Sequence, residues 1–317
     1  MNKVPVFILS GFLGSGKTTL LHRLLEACST KRLKPAVLMN EIGETDTDGK
    51  SLAKEQVIEK LLDGCICCNK KSEVTKSMER LVKGKPNVIF IELTGIANPE
   101  EVADSLTEPA LLDLVYLEKV ITVVDAEHVL SYNNVFESDR ELVRTTRRQV
   151  EVADYLIVNK IDFVSEAKKQ KVKKFLLKHN PNAKYSFTTY SQVDLDFLSD
   201  LKTSQLTVQV SGSELKQQHK HRHSYSRISS ITLPLSSQTT KADIEAFLKK
   251  WKTRLLRAKG YVRLGEDTYL MQHVMKRVSW EKTLYEGELY LVFIGMDLQE
   301  EQLKKEWGRV AGAVSKA

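Results

Sequence analysis

The stretch Val4-Pro5-Val6-Phe7-Ile8-Leu9-Ser10-Gly11-Phe12-Leu13-Gly14-Ser15-Gly16-Lys17-Thr18 decides how the chain folds. Six residues from Val4 to Leu9 read as a buried parallel strand, because they are apolar without alternation. Gly11 to Thr18 then match GxxxxGK followed by Ser or Thr, the phosphate-binding loop pattern, at every fixed position. Thr19 to Cys28 place Leu20, Leu21, Leu24 and Leu25 on one stripe and read as a helix. Strand, loop and helix in that order put consecutive backbone N–H groups and a positive helix end around one phosphate. Gly11, Gly14, Ser15 and Gly16 are expected to form the cradle. Lys17 is expected to bridge the β- and γ-phosphates, Thr18 to put its hydroxyl on the accompanying Mg²⁺, and Thr19 to follow in the first helical turn.

Bulk composition narrows the class. The 317 residues are 42% hydrophobic and 28% charged, which fits one large domain plus a smaller one and not a disordered chain. The apolar run that starts after Lys3 stops at Gly11, so it does not read as a leader, and no other run approaches the roughly 20 residues of a membrane span. A cytoplasmic protein without a membrane partner is the expectation. The net charge of +7 raises the question of nucleic acid. Its densest contributor, Lys168 to Lys178, carries Val172, Phe175 and Leu176 at helical spacing, so these lysines read as the solvated face of an amphipathic helix. No nucleic-acid partner is expected.

Short apolar strands alternate with helical patterns through the first two thirds. Ala36–Met39, Asn87–Ile91, Val120–Val124 and Tyr155–Val158 read as strands, with helices at Glu141–Ala153 and Glu166–His179 among the stretches between them. This alternation predicts an α/β domain with a mostly parallel sheet and helices on both faces, over residues 1–210. Residues 211–227 are polar, with His219, His221 and His223 among lysines and arginines, and read as a linker. Residues 228–317 predict a smaller α+β domain: a strand at Ile228–Leu235, a helix from Asp243 through Leu256, strands around Tyr261–Leu264 and Leu289–Ile294, and a helix at Glu300–Trp307.

Three further constellations carry chemistry. Asn159-Lys160-Ile161-Asp162 follows an apolar strand, at the sheet edge where such folds bind ligands, and resembles the guanine-specificity motif of GTPases. An Asp there accepts hydrogen bonds from the N1–H and 2-amino group of guanine, and adenine would leave it unpaired. Glu92 ends an earlier strand and is followed by Leu93-Thr94-Gly95. Its carboxylate suits Mg²⁺ through a water, and the Gly95 N–H suits a γ-phosphate. Finally, Cys65, Cys67 and Cys68 lie within four positions, too close for a disulfide framework of the secreted kind. Three thiolates suit a soft or borderline ion such as Zn²⁺ and leave one tetrahedral corner open, an arrangement for a metal that leaves again. Cys28 reads as core; His128, His179 and His273 stand alone and read as structural.

Together, Gly11 to Thr19, Asn-Glu-Ile-Gly-Glu at 40–44, Cys-Ile-Cys-Cys at 65–68, Glu-Leu-Thr-Gly at 92–95 and Asn-Lys-Ile-Asp at 159–162 resemble the CobW family of GTP-dependent metal chaperones, its zinc-related members in particular. Leu255 to Gly260 and Leu291 to Gly295 resemble that family's C-terminal domain. The resemblance implies a P-loop GTPase domain that hydrolyses GTP to GDP and delivers Zn²⁺, or Co²⁺ or Ni²⁺, to a client metalloprotein, with self-association as a further option. It implies that Glu41 and Glu44 lie in the first switch region, with Glu44 an oxygen ligand beside Cys67. Lys17, Thr18 and Glu92 are then the groups for hydrolysis. The chain departs from some relatives in having Met39 where they carry a carboxylate, and in its short histidine linker. Two rival readings remain: an ATP-dependent small-molecule or nucleoside kinase, which leaves the Asn-Lys-x-Asp and cysteine motifs without a purpose, and a binding module that GTP merely switches.

Overall fold

The computed structural model describes residues 3–40, 57–61, 70–198, 228–235, 239–274 and 277–310. It divides into two compact units, Met1–Ser226 and Arg227–Ala317.

The first unit is a seven-stranded sheet of β1 (Val4–Ser10), β2 (Pro35–Asn40), β3 (Val57–Leu61), β4 (Val88–Glu92), β5 (Val115–Asp125), β6 (Tyr155–Asn159) and β7 (Lys184–Phe187). Every pairing is parallel, in the order β3-β2-β4-β1-β5-β6-β7. Its helices are α1 (Lys17–Thr30), α2 (Lys70–Lys83), α3 (Pro99–Ser105), α4 (Val129–Tyr132), α5 (Arg140–Glu151) and α6 (Glu166–His179). Because side chains alternate along a strand, the central strands feed two cores. Phe7, Leu9, Val37, Phe90, Val123 and Ile157 pack with Leu20, Leu21, Leu24 and the buried Cys28 of α1. Val124, Leu156 and Val158 point the other way, to Val150 of α5 and Val172, Phe175 and Leu176 of α6. Helices therefore cover both faces, and the lysines of α6 surround a buried apolar stripe as its periodicity predicts.

The chain runs outward from β1 to β2 and β3, returns to insert β4 between β2 and β1, and then crosses to the other side of β1 for β5, β6 and β7. The C-terminal ends of β4, β1, β5 and β6 thus lie side by side at the reversal of strand order, where such sheets bind ligands.

The second unit is an antiparallel sheet, β11-β10-β9-β12-β8, of β8 (Ile228–Pro234), β9 (Leu255–Leu264), β10 (Asp267–Val274), β11 (Arg277–Thr283) and β12 (Tyr290–Met296). Phe247 and Trp251 of α7 (Lys241–Trp251) and Leu303 and Trp307 of α8 (Glu300–Val310) pack with Leu291, Phe293 and Met271 in its core. The helix read through Leu256 ends at Trp251. Leu255 already pairs with Gly295, and the strand expected around Tyr261 is ten residues long. No helix among the described residues is long and apolar enough to cross a membrane. The polar stretch 211–227 lies outside them.

Candidate functional site

At the end of β1 the chain turns on Gly11, whose φ is 130° and whose added Cβ would come within 2.1 Å of the Val123 carbonyl oxygen. At the other end of the loop Gly16, with φ 108°, serves as the N-cap of α1, and no side chain among the described residues caps that helix start. Gly14 lies on the loop, Ser15 is fully buried, and Thr19 is exposed on the first turn. An uncapped helix start carries free N–H groups and about half a positive charge, so the sequence builds a receptor for an anion here.

Two charged side chains converge beneath it. Lys17 is only 7% exposed and donates from Nζ to the carbonyls of Gly11 at 2.9 Å and Phe12 at 3.1 Å. Thr18 Oγ1 donates to Glu92 Oε1 at 2.8 Å, joining α1 to the end of β4. The second oxygen of Glu92 is buried with no hydrogen-bond partner among the described residues. Burial pushes the Lys17 ammonium below its usual range, with Glu92 opposing. Burial pushes the Glu92 carboxyl up, and the Thr18 hydroxyl, Lys17 and His22 only partly offset it. A hydroxyl and a carboxylate with an unspent oxygen form a hard-oxygen donor set that suits Mg²⁺.

Gly95 follows β4 and lies against the loop, for a Cβ on it would meet the Leu13 nitrogen at 2.4 Å. Buried Gln149 of α5 holds this segment by donating to the carbonyls of Gly95 at 3.0 Å and Ala97 at 3.2 Å. Arg148 binds Glu100 at 2.6 Å beside it.

The loop after β6 closes the other side. Asn159 Nδ2 donates to the Ser15 carbonyl at 2.9 Å, and Asn159 Oδ1 accepts from the Ser191 N–H at 2.9 Å. Ser191 Oγ donates in turn to the Gly16 carbonyl at 3.2 Å. Lys160 has a left-handed backbone, φ 62°, and its Nζ donates to Asp125 Oδ2 at 2.8 Å. Asp162 stands exposed in a 3-10 turn at Ile161–Phe163, its carboxylate unengaged among the described residues.

The structure therefore brings Gly11, Gly14, Ser15, Gly16, Lys17, Thr18, Glu92, Gly95, Asn159 and Lys160 to one sheet edge. Cys65, Cys67, Cys68, Glu41 and Glu44, named from sequence as metal ligands, lie outside the described residues. Sequence reasoning passed over three contributors. Ser191 sits in a polar turn without a motif, and Gln149 is one polar residue in an amphipathic helix. Asp125 ends an apolar strand in a carboxylate just as Glu92 does, a signal that was there to read. His128, read as solitary, instead touches Asp125 Oδ2 at 3.3 Å and stacks on Tyr132. With Glu127 these form the one group of three acidic or histidine side chains close enough for an ion among the described residues.

A glycine-rich loop between strand and helix, an acid on the neighbouring strand end and an Asn-Lys-x-Asp turn tied to that loop define a P-loop nucleotide-binding protein. The family described as CobW/HypB/UreG, nucleotide-binding domain, matches residues 5–187, and the cobalamin synthesis protein cobW C-terminal domain matches residues 228–311. The chain belongs to this family. It is 30% identical to the zinc chaperone YjiA of Escherichia coli over 96% of this chain and 98% of that one. It is 37% identical to zinc-regulated GTPase metalloprotein activator 1 of Schizosaccharomyces pombe over 61% of this chain, and spans about half (48%) of that relative's length. The crystal structure of the Zn(II)-bound YjiA GTPase from E. coli matches with a TM-score of 0.51 at 26% identity, covering 98% of this chain and 99% of that one.

Proposed function

We propose that the chain hydrolyses GTP and uses the cycle to bind and release a transition metal, zinc first, for delivery to a client metalloprotein. The observation that carries the nucleotide half is the pair of ties across the site: Thr18 to Glu92 on one side and Asn159 to Ser15 on the other. They fix a phosphate cradle and a base-reading turn in one rigid frame. Relatives named zinc chaperone and zinc-regulated GTPase support the metal half.

In this reading the loop N–H groups and the α1 terminus hold the β-phosphate, and Lys17 leaves its carbonyl partners to span the β- and γ-phosphates. Thr18 and Glu92 would hold Mg²⁺, which neutralises charge that develops on the phosphates. Gly95, kept against the loop by Gln149, would offer its N–H to the γ-phosphate. Asp162 would read guanine. Cys65, Cys67 and Cys68, with Glu41 and Glu44 in the switch, would hold the metal cargo; cobalt and nickel suit the same thiolates less specifically. The domain division at residues 1–210, 211–227 and 228–317 and a reducing, cytoplasmic setting belong to this proposal, since neighbouring free thiols persist where they are kept reduced. The Asn159 and Lys160 contacts count against a kinase, which needs neither.

Chelator competition tests the coupling. Zinc affinity is expected to differ between the GDP form and a non-hydrolysable GTP analogue, and zinc must then change nucleotide affinity by the same factor. Cys67→Ala is expected to lower zinc affinity by more than tenfold while GTP binding persists. Equal zinc affinity in both nucleotide states would remove the chaperone reading and leave a GTPase with an incidental metal site.

A further inference from the structure

Asp125 is the last residue of β5 and is 5% exposed, yet it carries a charge that the nucleotide reading leaves without a task. Its two oxygens do separate work. Oδ1 accepts from the N–H groups of Glu127 at 2.8 Å and His128 at 3.2 Å, closing the turn into α4. Oδ2 takes the Lys160 ammonium at 2.8 Å, with His128 Nδ1 at 3.3 Å. Burial alone would raise this carboxyl; Lys160, His128 and the Glu127 N–H outweigh it and hold it below its ordinary value.

Asp125 and Asn159 are register partners on adjacent strands, and Lys160 follows immediately. Its backbone is left-handed, uncommon for a residue with a Cβ, and its four-carbon arm reaches the end of β5, where the ammonium meets Asp125. The arm is thus fixed at both ends, by β6 at its root and by Asp125 at its tip. A free lysine arm samples many rotamers and would have to be ordered when a flat ring lies along it.

We propose that Asp125 is a positioning residue for nucleotide binding: it pins Lys160 so that the arm presents a preformed apolar rail to the guanine ring that Asp162, two residues on, would read. The inference rests on the reading of Asn159 to Asp162 as the base site. Asp125 would act through Lys160, to which its Oδ2 is bound, so its effect falls on affinity and not on the phosphates.

The experiment is a double-mutant cycle on the full chain, read as the dissociation constant for GDP and as KM and kcat for GTP. Asp125→Asn keeps an oxygen for the turn N–H groups but sets an amide or neutral oxygen against the ammonium. It is expected to weaken GDP binding and raise KM about tenfold, with kcat within about twofold. Lys160→Met keeps the arm and removes the ammonium; in that background Asp125→Asn should change GDP affinity by less than about twofold. Asp125→Ser, which also caps the turn, replaces Asp125→Asn if the latter fails to fold by circular dichroism. An equal loss from the Asp125 variant in both backgrounds, or GDP affinity within twofold of the parent, overturns the proposal. Asp162→Asn, titrated with GDP and xanthosine diphosphate, tests the underlying reading separately. If it switches preference to xanthosine while the cycle shows no coupling, only Asp125's role falls. If it does not switch, the base site falls and this inference with it.

Discussion

At the phosphate end of the site, between β1 and α1, the groups assigned to the ligand are main-chain N–H groups and two almost fully buried charges, Lys17 and Glu92. At the base end, after β6, they are side chains on a turn, with Asp162 open to water and the Lys160 arm half-buried and tied at its tip to Asp125. The first end keeps its charges out of water before any ligand arrives, at a cost in stability. The second keeps the group proposed to read the base solvated, and would spend little until a base docks. This difference predicts that damage at the phosphate end shows first in turnover, and damage at the base end first in affinity and selectivity.

The sharpest break is at Lys17. Lys17→Ala removes the one buried ammonium in the cradle while leaving the loop glycines and the α1 start in place. Phosphate release is expected to fall by about 10²–10³-fold, the usual loss when a preorganised donor to a developing charge is deleted. Circular dichroism should show an intact fold. Turnover within a few-fold of the parent would mean that the charge assigned to the phosphates acts elsewhere.

A smaller effect comes from the seam between the two ends. An added Cβ at Gly16 would lie 2.4 Å from Asn159 Nδ2 and 3.3 Å from Ser191 Oγ, at a φ of 108° that side chains rarely take. Gly16→Ala should therefore displace Asn159 from Ser15, loosening cradle and base turn together. A stability loss of about 1–3 kcal/mol in urea melts and about tenfold weaker GDP binding are expected. Gly14→Ala is the comparison, since its φ is 71° but no atom of the described residues lies within 4 Å of the added carbon. It should cost only the backbone strain, about 1–2 kcal/mol at most, with less effect on affinity. Identical behaviour of the two variants would break the claim that Asn159 couples the ends.

The two ends were also unequally legible in the sequence. The phosphate loop reads directly because its chemistry is main-chain chemistry, and glycines at fixed spacing encode main-chain geometry. The central strands read because burial on both faces makes them uninterrupted apolar runs, as in Val88–Glu92. The outer strands did not read. Val57–Leu61 carries Glu59 and Lys60 within its five residues, and Lys184–Phe187 is four residues long with no buried position, so neither forms the uninterrupted apolar run by which the central strands are recognised. In the second unit Trp251, Leu255 and Leu256 mimic helical spacing, and cross-strand pairing of Leu255 with Gly295 overrides it. At the base end, Asn159 and Lys160 announced themselves as a motif. Their partners Ser191 and Asp125 are separated from them by 32 and 35 positions; Ser191 is identified only by the contact, whereas Asp125 at the end of an apolar strand carries a sequence signal but not the identity of its partner.

The smallest expected effect concerns the cost carried by the phosphate end. Burial raises the Glu92 carboxyl above its ordinary value even with Lys17 and Thr18 beside it, so the folded state holds the charged form less readily than the unfolded chain does. The sign follows from proton counts. Between the ordinary carboxylate value and the raised one the folded state binds more protons, so Glu92 makes stability fall as pH rises through that window, and the cost persists at neutral pH. Glu92→Gln removes the charge with little change of shape and leaves an amide to meet the Thr18 hydroxyl. It is expected to raise stability at pH 7.5 by about 1 kcal/mol in urea melts without nucleotide, opposite in direction to its effect on turnover. The advantage should shrink as pH falls through the raised value toward the ordinary one, and vanish below it, where Glu92 is protonated in both states. An advantage that stays constant from pH 7.5 to 4.5 would show that ionisation is not its source, and would remove the contrast between a charged, buried phosphate end and a solvated base end.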